Sequence, residues 1–214
     1  MHDVVDRLVS IKKEIQLNNN KTEIIAVSKT FPISKILPLI NFGHIHYGEN
    51  KIQEAVDKWS DIKNDFPNIK LHFVGKLQTN KVKFAIPLFD YIHSLDSIKL
   101  AEKIANEQIK KKFKPKIFIQ VNIGKEIQKN GIDIESLEKF YLNCEKNFNL
   151  NIVGLMCLPP DDNTPDVYFS KMQSLINNIN LKELSMGMTN DYLEALKYKS
   201  TFLRIGSKIF GQRI

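Results

Sequence analysis

Eight short runs rich in β-branched and aromatic residues recur about every 25 residues, each followed by a turn and by apolar residues at helical spacing. They are Ile24–Ser28, His44–Gly48, Leu71–Gly75, Tyr91–Leu95, Lys116–Asn122, Ile152–Leu158, Glu183–Gly187 and Thr201–Gly206. Strands alternating with helices in this way imply a parallel sheet, because parallel neighbours need a crossover connection. Eight such units predict an α/β fold, a closed (β/α)8 TIM barrel, rather than an open doubly wound sheet. The open sheet would carry a Gly-rich turn after its first strand, and Ser28–Pro32 is not one. The expectation is one domain over residues 1–214, with residues 1–20 as an extra N-terminal helix packed outside the barrel. Pro32 suits the first turn of a helix, and Asp96 and Thr189 are expected N-caps.

Charge and cysteine content narrow the function classes. The formal charge of +7 comes from lysines interleaved with acids, and the local run Ile109–Lys116 reads as a solvated helix end rather than a nucleic-acid surface. No apolar stretch is long enough to cross a bilayer, and the N-terminus carries acids from its third residue, unlike a signal peptide. With only Cys144 and Cys157, a disulfide framework is not expected, and a cytoplasmic location is. Arginine is confined to Arg7, Arg204 and Arg213.

In a parallel barrel the chemistry gathers where strands end. Lys29 ends the first strand, and alternation puts Ile25, Val27 and Lys29 on one face, aimed into the mouth. Burial there would depress its pKa and favour a neutral amine able to attack an aldehyde, although a lone lysine more often snorkels to water. The last two junctions, Ser185–Asp191 and Arg204–Ser207, each pair a strand end with a hydroxyl residue at a helix start. Either alone reads as a capped turn; together they favour a phosphate site. Arg204 would point inward beneath Gly206, where a guanidinium needs a partner such as a pyridine nitrogen. His44 and His46 share a strand face without a third ligand at metal spacing, so packed histidines are expected and no metal. His72 could approach the mouth or satisfy a carbonyl, and Cys157 reads as a small buried residue. No P-loop, GxGxxG, HExxH or GxSxG motif occurs.

At these positions the chain resembles the pyridoxal-phosphate homeostasis proteins, a single-barrel family related to the N-terminal domain of alanine racemase. The matching segments, in order, are Ala26–Thr30, Gly48–Asn50, His72–Lys81, Lys129–Ile132, Gly154–Met156, Leu184–Asp191 and Arg204–Gly211. The resemblance implies that pyridoxal 5′-phosphate is the cofactor, with Lys29 as its aldimine lysine. It implies Thr189, Gly206 and Ser207 as phosphate binders, Arg204 as the partner of the pyridine nitrogen, and Asn50 and Met156 on segments lining the cofactor. Thr189 and Ser207 stand where the family often has Ser and Thr, and both keep the hydroxyl. The implied role is homeostasis of the cofactor: binding, buffering or delivery without turnover. The expected partners are the cofactor itself and pyridoxal-dependent enzymes as recipients, with the chain a monomer or weak dimer, and no nucleic acid or membrane. The alternative from another class is a racemase that recruits a base from a partner. An aldolase that uses Lys29 without a cofactor comes third.

Overall fold

The computed structural model describes residues 2–18, 21–126 and 130–212. Its strands are β1 (Glu23–Val27), β2 (His46–Glu49), β3 (Lys70–Phe73), β4 (Tyr91–Leu95), β5 (Lys116–Val121), β6 (Asn151–Cys157), β7 (Glu183–Met188) and β8 (Phe202–Ile205). They are parallel, lie in sequence order, and close through β1 against β8, with Ile25 opposite Arg204. The predicted TIM barrel is therefore the observed architecture. The helices are α1 (Asp3–Asn18), α2 (Ile33–Asn41), α3 (Ile52–Asp65), α4 (Val82–Ala85), α5 (Ile98–Lys111), α6 (Leu137–Phe148), α7 (Pro165–Asn178), α8 (Tyr192–Lys197) and α9 (Ser207–Phe210).

Alternation along each strand sorts side chains into two shells. Outward residues such as Ile24, Ala26, Leu71, Phe73, Ile117, Ile119, Leu203 and Ile205 join the helices in the main core. Inward residues Ile25, Val27, Tyr91, Phe118, Met156 and Phe202 form a separate cluster inside the barrel. A barrel core is usually filled by branched aliphatics. Here three histidines, Gln120, Ser185 and Arg204 are buried as well.

The expected N-terminal helix is α1, which buries Val4, Val5, Leu8, Ile11 and Ile15, one stripe at helical spacing. It packs against α2, α8 and α9, and Arg7 Nη1 donates to the carbonyl of Ile209 at 3.4 Å. Among the described residues no helix is long and apolar enough to cross a membrane.

Three local expectations need correction. Strand β2 begins at His46, so His44 lies before it, and its Nε2 meets the carbonyl of His46 at 2.9 Å. The cap of α5 is Ser97 and not Asp96: the Ser97 hydroxyl accepts from Leu100 N, and Asp96 stays half-buried with its pKa raised by burial. Thr189 is not the cap of α8. That helix starts two residues later, with Asp191 at the cap position and its carboxylate accepting from Met188 N at 2.6 Å. In the two capping cases a polar residue one or two positions further on is the one that meets a backbone amide. Pro32 sits immediately before α2, as its N-cap. Lys129 and Arg213 lie outside the described residues. The remainder of that family segment, Asn130–Ile132, runs beside β5, where Ile132 N donates to the carbonyl of Gln120 at 2.8 Å.

Candidate functional site

One cavity of about 800 Å³ opens at the C-terminal end of the strands, within the size range of small-molecule sites. Its wall includes Lys29, Asn50, Thr189, Arg204, Gly206 and Ser207, six of the seven residues expected to bind a cofactor. Met156 is the exception. Fully buried and packed among the inward cluster, it lies below the wall and not on it, because side chains of a strand interior fill the barrel while only the strand ends reach the mouth. The junctions after β4 and β5 do not contribute to the wall. The loop after β6 comes over them, close enough that a Cβ on Gly124 would be 2.4 Å from Pro160 Cγ.

Lys29 is held by its neighbours. Ser28 is fully buried; its hydroxyl donates to Glu49 Oε1 at 2.7 Å and its carbonyl accepts from Lys58 Nζ at 3.0 Å. On the other side, Thr30 adopts φ +69, a conformation that costs a β-branched residue on the order of 1–3 kcal/mol, and its amide donates to Glu54 Oε1. Lys58 ties the two acids together, 3.0 Å from Glu49 and 2.9 Å from Glu54, and Trp59 Nε1 adds a third bond to Glu49 Oε1 at 3.0 Å. Burial raises the Glu54 carboxyl while the bonds from Lys58 and Thr30 lower it, and the net direction is down. The strained residue beside Lys29 is thus over-determined by a charge cluster that joins the end of β2 to α3. Sequence reading carried Glu49 only within the segment Gly48–Asn50 and missed Lys58 altogether, since a helix lysine carries no local signal of burial.

Removing Lys58 would strand the buried Glu49 carboxylate. Lys58→Met is expected to destabilise the fold by about 3–5 kcal/mol, read as a drop of roughly 10 °C in thermal midpoint. A loss below about 1 kcal/mol would show that the pair does not brace the loop.

At the other side of the cavity two hydroxyls converge: Ser207 Oγ donates to Thr189 Oγ1 at 3.4 Å. Gly187 takes φ +90, and a Cβ there would be 2.6 Å from Ala195 Cβ, so the chain can turn into Met188 and Thr189 only with glycine. A Cβ on Gly206 would be 3.3 Å from the carbonyl of Val27, which leaves the backbone open towards the cavity but tight towards β1. Ser207 and Lys208 head α9, where the first amides have no intrahelical acceptor.

Arg204 is buried and donates from Nη1 to Ser185 Oγ at 2.7 Å and from Nη2 to the carbonyl of Cys157 at 2.8 Å. Among the described residues no carboxylate lies within ion-pair distance of it. Burial lowers its pKa, and Cys157 and Asp191 act in the opposite direction. Asn50 Oδ1 is buried without a hydrogen-bond partner, an unsatisfied acceptor that calls for a donor from a ligand.

The weaker candidates fall away from the site. Cys157 is fully buried and its thiol is pushed up to about 12 by burial, so it is not a reactive thiolate. Among the described residues no group of three or more His, Cys, Asp or Glu side chains could hold a metal. His72 neither reaches the mouth nor bonds a carbonyl; it sits between His46 and His93.

Comparison with known proteins places these observations in a family context. The family model for the alanine racemase N-terminal domain matches residues 7–214. The pyridoxal phosphate homeostasis protein of Haemophilus influenzae is 36% identical over 211 residues, which cover 94% of this chain and 89% of the relative. Its counterpart in Aquifex aeolicus is 34% identical, covering 98% and 95% of the two chains. Among solved structures, PipY of Synechococcus elongatus with PLP bound has a TM-score of 0.88 at 31% identity, covering 97% of this chain and 100% of that one.

Proposed function

The chain belongs to the alanine racemase N-terminal domain family and, within it, to the pyridoxal phosphate homeostasis proteins, and we propose that it binds pyridoxal 5′-phosphate at the barrel mouth and buffers or delivers it without turnover. The observation that carries the reading is the meeting, in one cavity, of Lys29, a pair of phosphate-type hydroxyls on Thr189 and Ser207, and a buried Arg204 with no carboxylate partner among the described residues. These groups fit the cofactor. Thr189, Gly206 and Ser207 would receive the phosphate. Asn50 would offer its unsatisfied oxygen to the ring hydroxyl, and Arg204 would serve the ring nitrogen. Met156 supports the barrel floor beneath them.

When bound, the cofactor supplies an aldehyde electrophile and a ring able to withdraw electrons. Lys29 would be the residue that holds the aldehyde end through its Nζ and so keeps it from stray amines. Arg204, a donor only, would give the ring nitrogen a hydrogen bond rather than a proton and would leave the ring a weaker electron sink. That favours holding over turnover. The proposed setting is the cytoplasm, where Cys144 and Cys157 remain free thiols, with pyridoxal-dependent enzymes as recipients. The proposed binding unit is the barrel with α1, residues 1–214, acting as a monomer or weak dimer.

The wild-type protein loaded with pyridoxal phosphate is expected to be yellow. Borohydride reduction followed by peptide mass analysis should place the adduct on Lys29. An adduct on another lysine, or none, would remove the assignment. Turnover of L-amino acids at about 1 per second or faster would replace the carrier role with an enzymatic one.

A further inference from the structure

Three adjacent strands each send one histidine into the barrel: His46 from β2, His72 from β3 and His93 from β4, all buried. They form one chain of hydrogen bonds. His46 Nδ1 lies 2.9 Å from His72 Nε2, His72 Nδ1 lies 2.9 Å from His93 Nε2, and His93 Nδ1 lies 2.9 Å from Ser185 Oγ. Ser185 Oγ is in turn the acceptor of Arg204 Nη1 at 2.7 Å. Stacking holds the rings in place, His72 on Tyr91 with centroids 4.1 Å apart and His93 on Phe118 at 4.3 Å.

The proton positions along this chain follow from its charged end. A guanidinium has only donors, so Ser185 must accept from it, and the serine hydrogen is left to go to its other partner, His93 Nδ1. An imidazole nitrogen that accepts carries no hydrogen. A neutral His93 therefore bears its proton on Nε2 and donates to His72 Nδ1, and His72 does the same towards His46. Burial keeps the rings neutral: His93 is held well below its usual pKa by desolvation and then by the Arg204 charge, and His72 by desolvation and then by its histidine neighbours. One cation thus orders a row of dipoles across the barrel, all pointing the same way.

We propose that His93 and Ser185 are positioning residues for Arg204 at the ring-nitrogen end of the cofactor site, with His72 and His46 locking the tautomer of His93. This rests on the placement of Arg204 under the cofactor ring set out above. The consequence is a guanidinium whose Nη1 is committed to Ser185 and whose remaining N–H groups keep a single orientation towards the cavity. A serine free to rotate would offer Arg204 either a lone pair or a hydrogen; the histidine row removes the second option.

Two measurements test the chain and its effect separately. Long-range 1H–15N NMR of histidine-labelled protein without cofactor should show His46, His72 and His93 as Nε2–H tautomers at neutral pH. A proton on Nδ1 of His93 or His72 overturns the proposal whatever the cofactor does. In Ser185→Ala protein the constraint on His93 is released, and its Nδ1 resonance should move while His44, bonded to a backbone carbonyl, stays unchanged. With cofactor bound, His93→Phe keeps an aromatic ring against Phe118 and is expected to release cofactor about tenfold faster, as loss of an outer-shell partner commonly does. Its visible absorbance should also shift. His93→Asn, which can still accept from Ser185, should restore part of both effects. Release and spectrum like wild type in His93→Phe and Ser185→Ala would refute the positioning role; if His93→Phe does not fold, Ser185→Ala decides alone. Absence of any visible band in wild-type protein would instead sink the cofactor reading and leave the NMR result standing.

Discussion

Lys29→Ala protein is expected to be colourless, folded and unlabelled after incubation with pyridoxal phosphate and borohydride. The side chain is half-buried at a strand end, outside both hydrophobic clusters, so its truncation should cost no more than about 1 kcal/mol. The covalent link, by contrast, has no substitute. Among the described residues the cavity wall contains no second lysine to take over the aldehyde. Thr189, Ser207 and Arg204 remain, and weak reversible binding through the phosphate should persist, detectable by equilibrium dialysis but removed by desalting. Visible-region absorbance together with circular dichroism separates the outcomes. A yellow Lys29→Ala protein with a native dichroism spectrum would show that the bond forms elsewhere; a colourless but unfolded one would mean that Lys29 serves the fold.

The second large effect is on stability and comes from pH. Four histidines are buried and neutral: desolvation is the leading cause in each case, lowering His44 to about 3, His46 to about 4, and His72 and His93 well below the usual value. In the unfolded chain each takes up a proton below its ordinary pKa of about 6.5, whereas the folded protein takes up none until far lower pH. Stability contributed in this way is present above about pH 6.5 and is lost as pH falls towards the folded values. At pH 5 His44 and His46 have each cost about 2 kcal/mol, and His72 and His93 add to the loss in the same direction. The combined loss is comparable with the whole stability of an ordinary domain. Cofactor-free protein is therefore expected to unfold near pH 5, above the range where most carboxylates titrate. Urea unfolding at pH 7.5 and pH 5.5 measures it directly, and an unchanged midpoint would mean that the barrel interior accepts protons freely. Replacing His93 by phenylalanine should flatten the acid limb, because one proton fewer is taken up on unfolding.

How legible all this was depended on whether the signal was local. Every strand run overlapped an observed strand, because alternation of inward and outward residues is a property of a few neighbours. The same alternation was enough to aim Lys29 and Arg204 into the barrel. Boundaries were less secure. His44 has the same spacing to His46 as an in-strand partner, yet β2 starts only at His46, where its pairing with β3 begins. Asp96 against Ser97 and Thr189 against Asp191 were decided by which side chain met a free amide, a matter of backbone torsion. Met156 was carried by its segment and not by its own position, and it proved to be floor rather than wall.

From residue order alone came the barrel, the end at which its chemistry collects, and the amine, hydroxyls and guanidinium that meet there, since each follows from periodicities of two and 3.6 residues and from chain direction. Closure of the sheet decided the rest. His46, His72, His93 and Ser185 are separated by 26, 21 and 92 residues, and nothing in any one segment marks it as a link in a row. Lys58 is one lysine among many until α3 turns it onto the carbonyl of Ser28 and the carboxylate of Glu49. Burial and hydrogen bonding between distant strands are collective properties of the closed barrel, and they alone turn ordinary polar residues into the supports of a site.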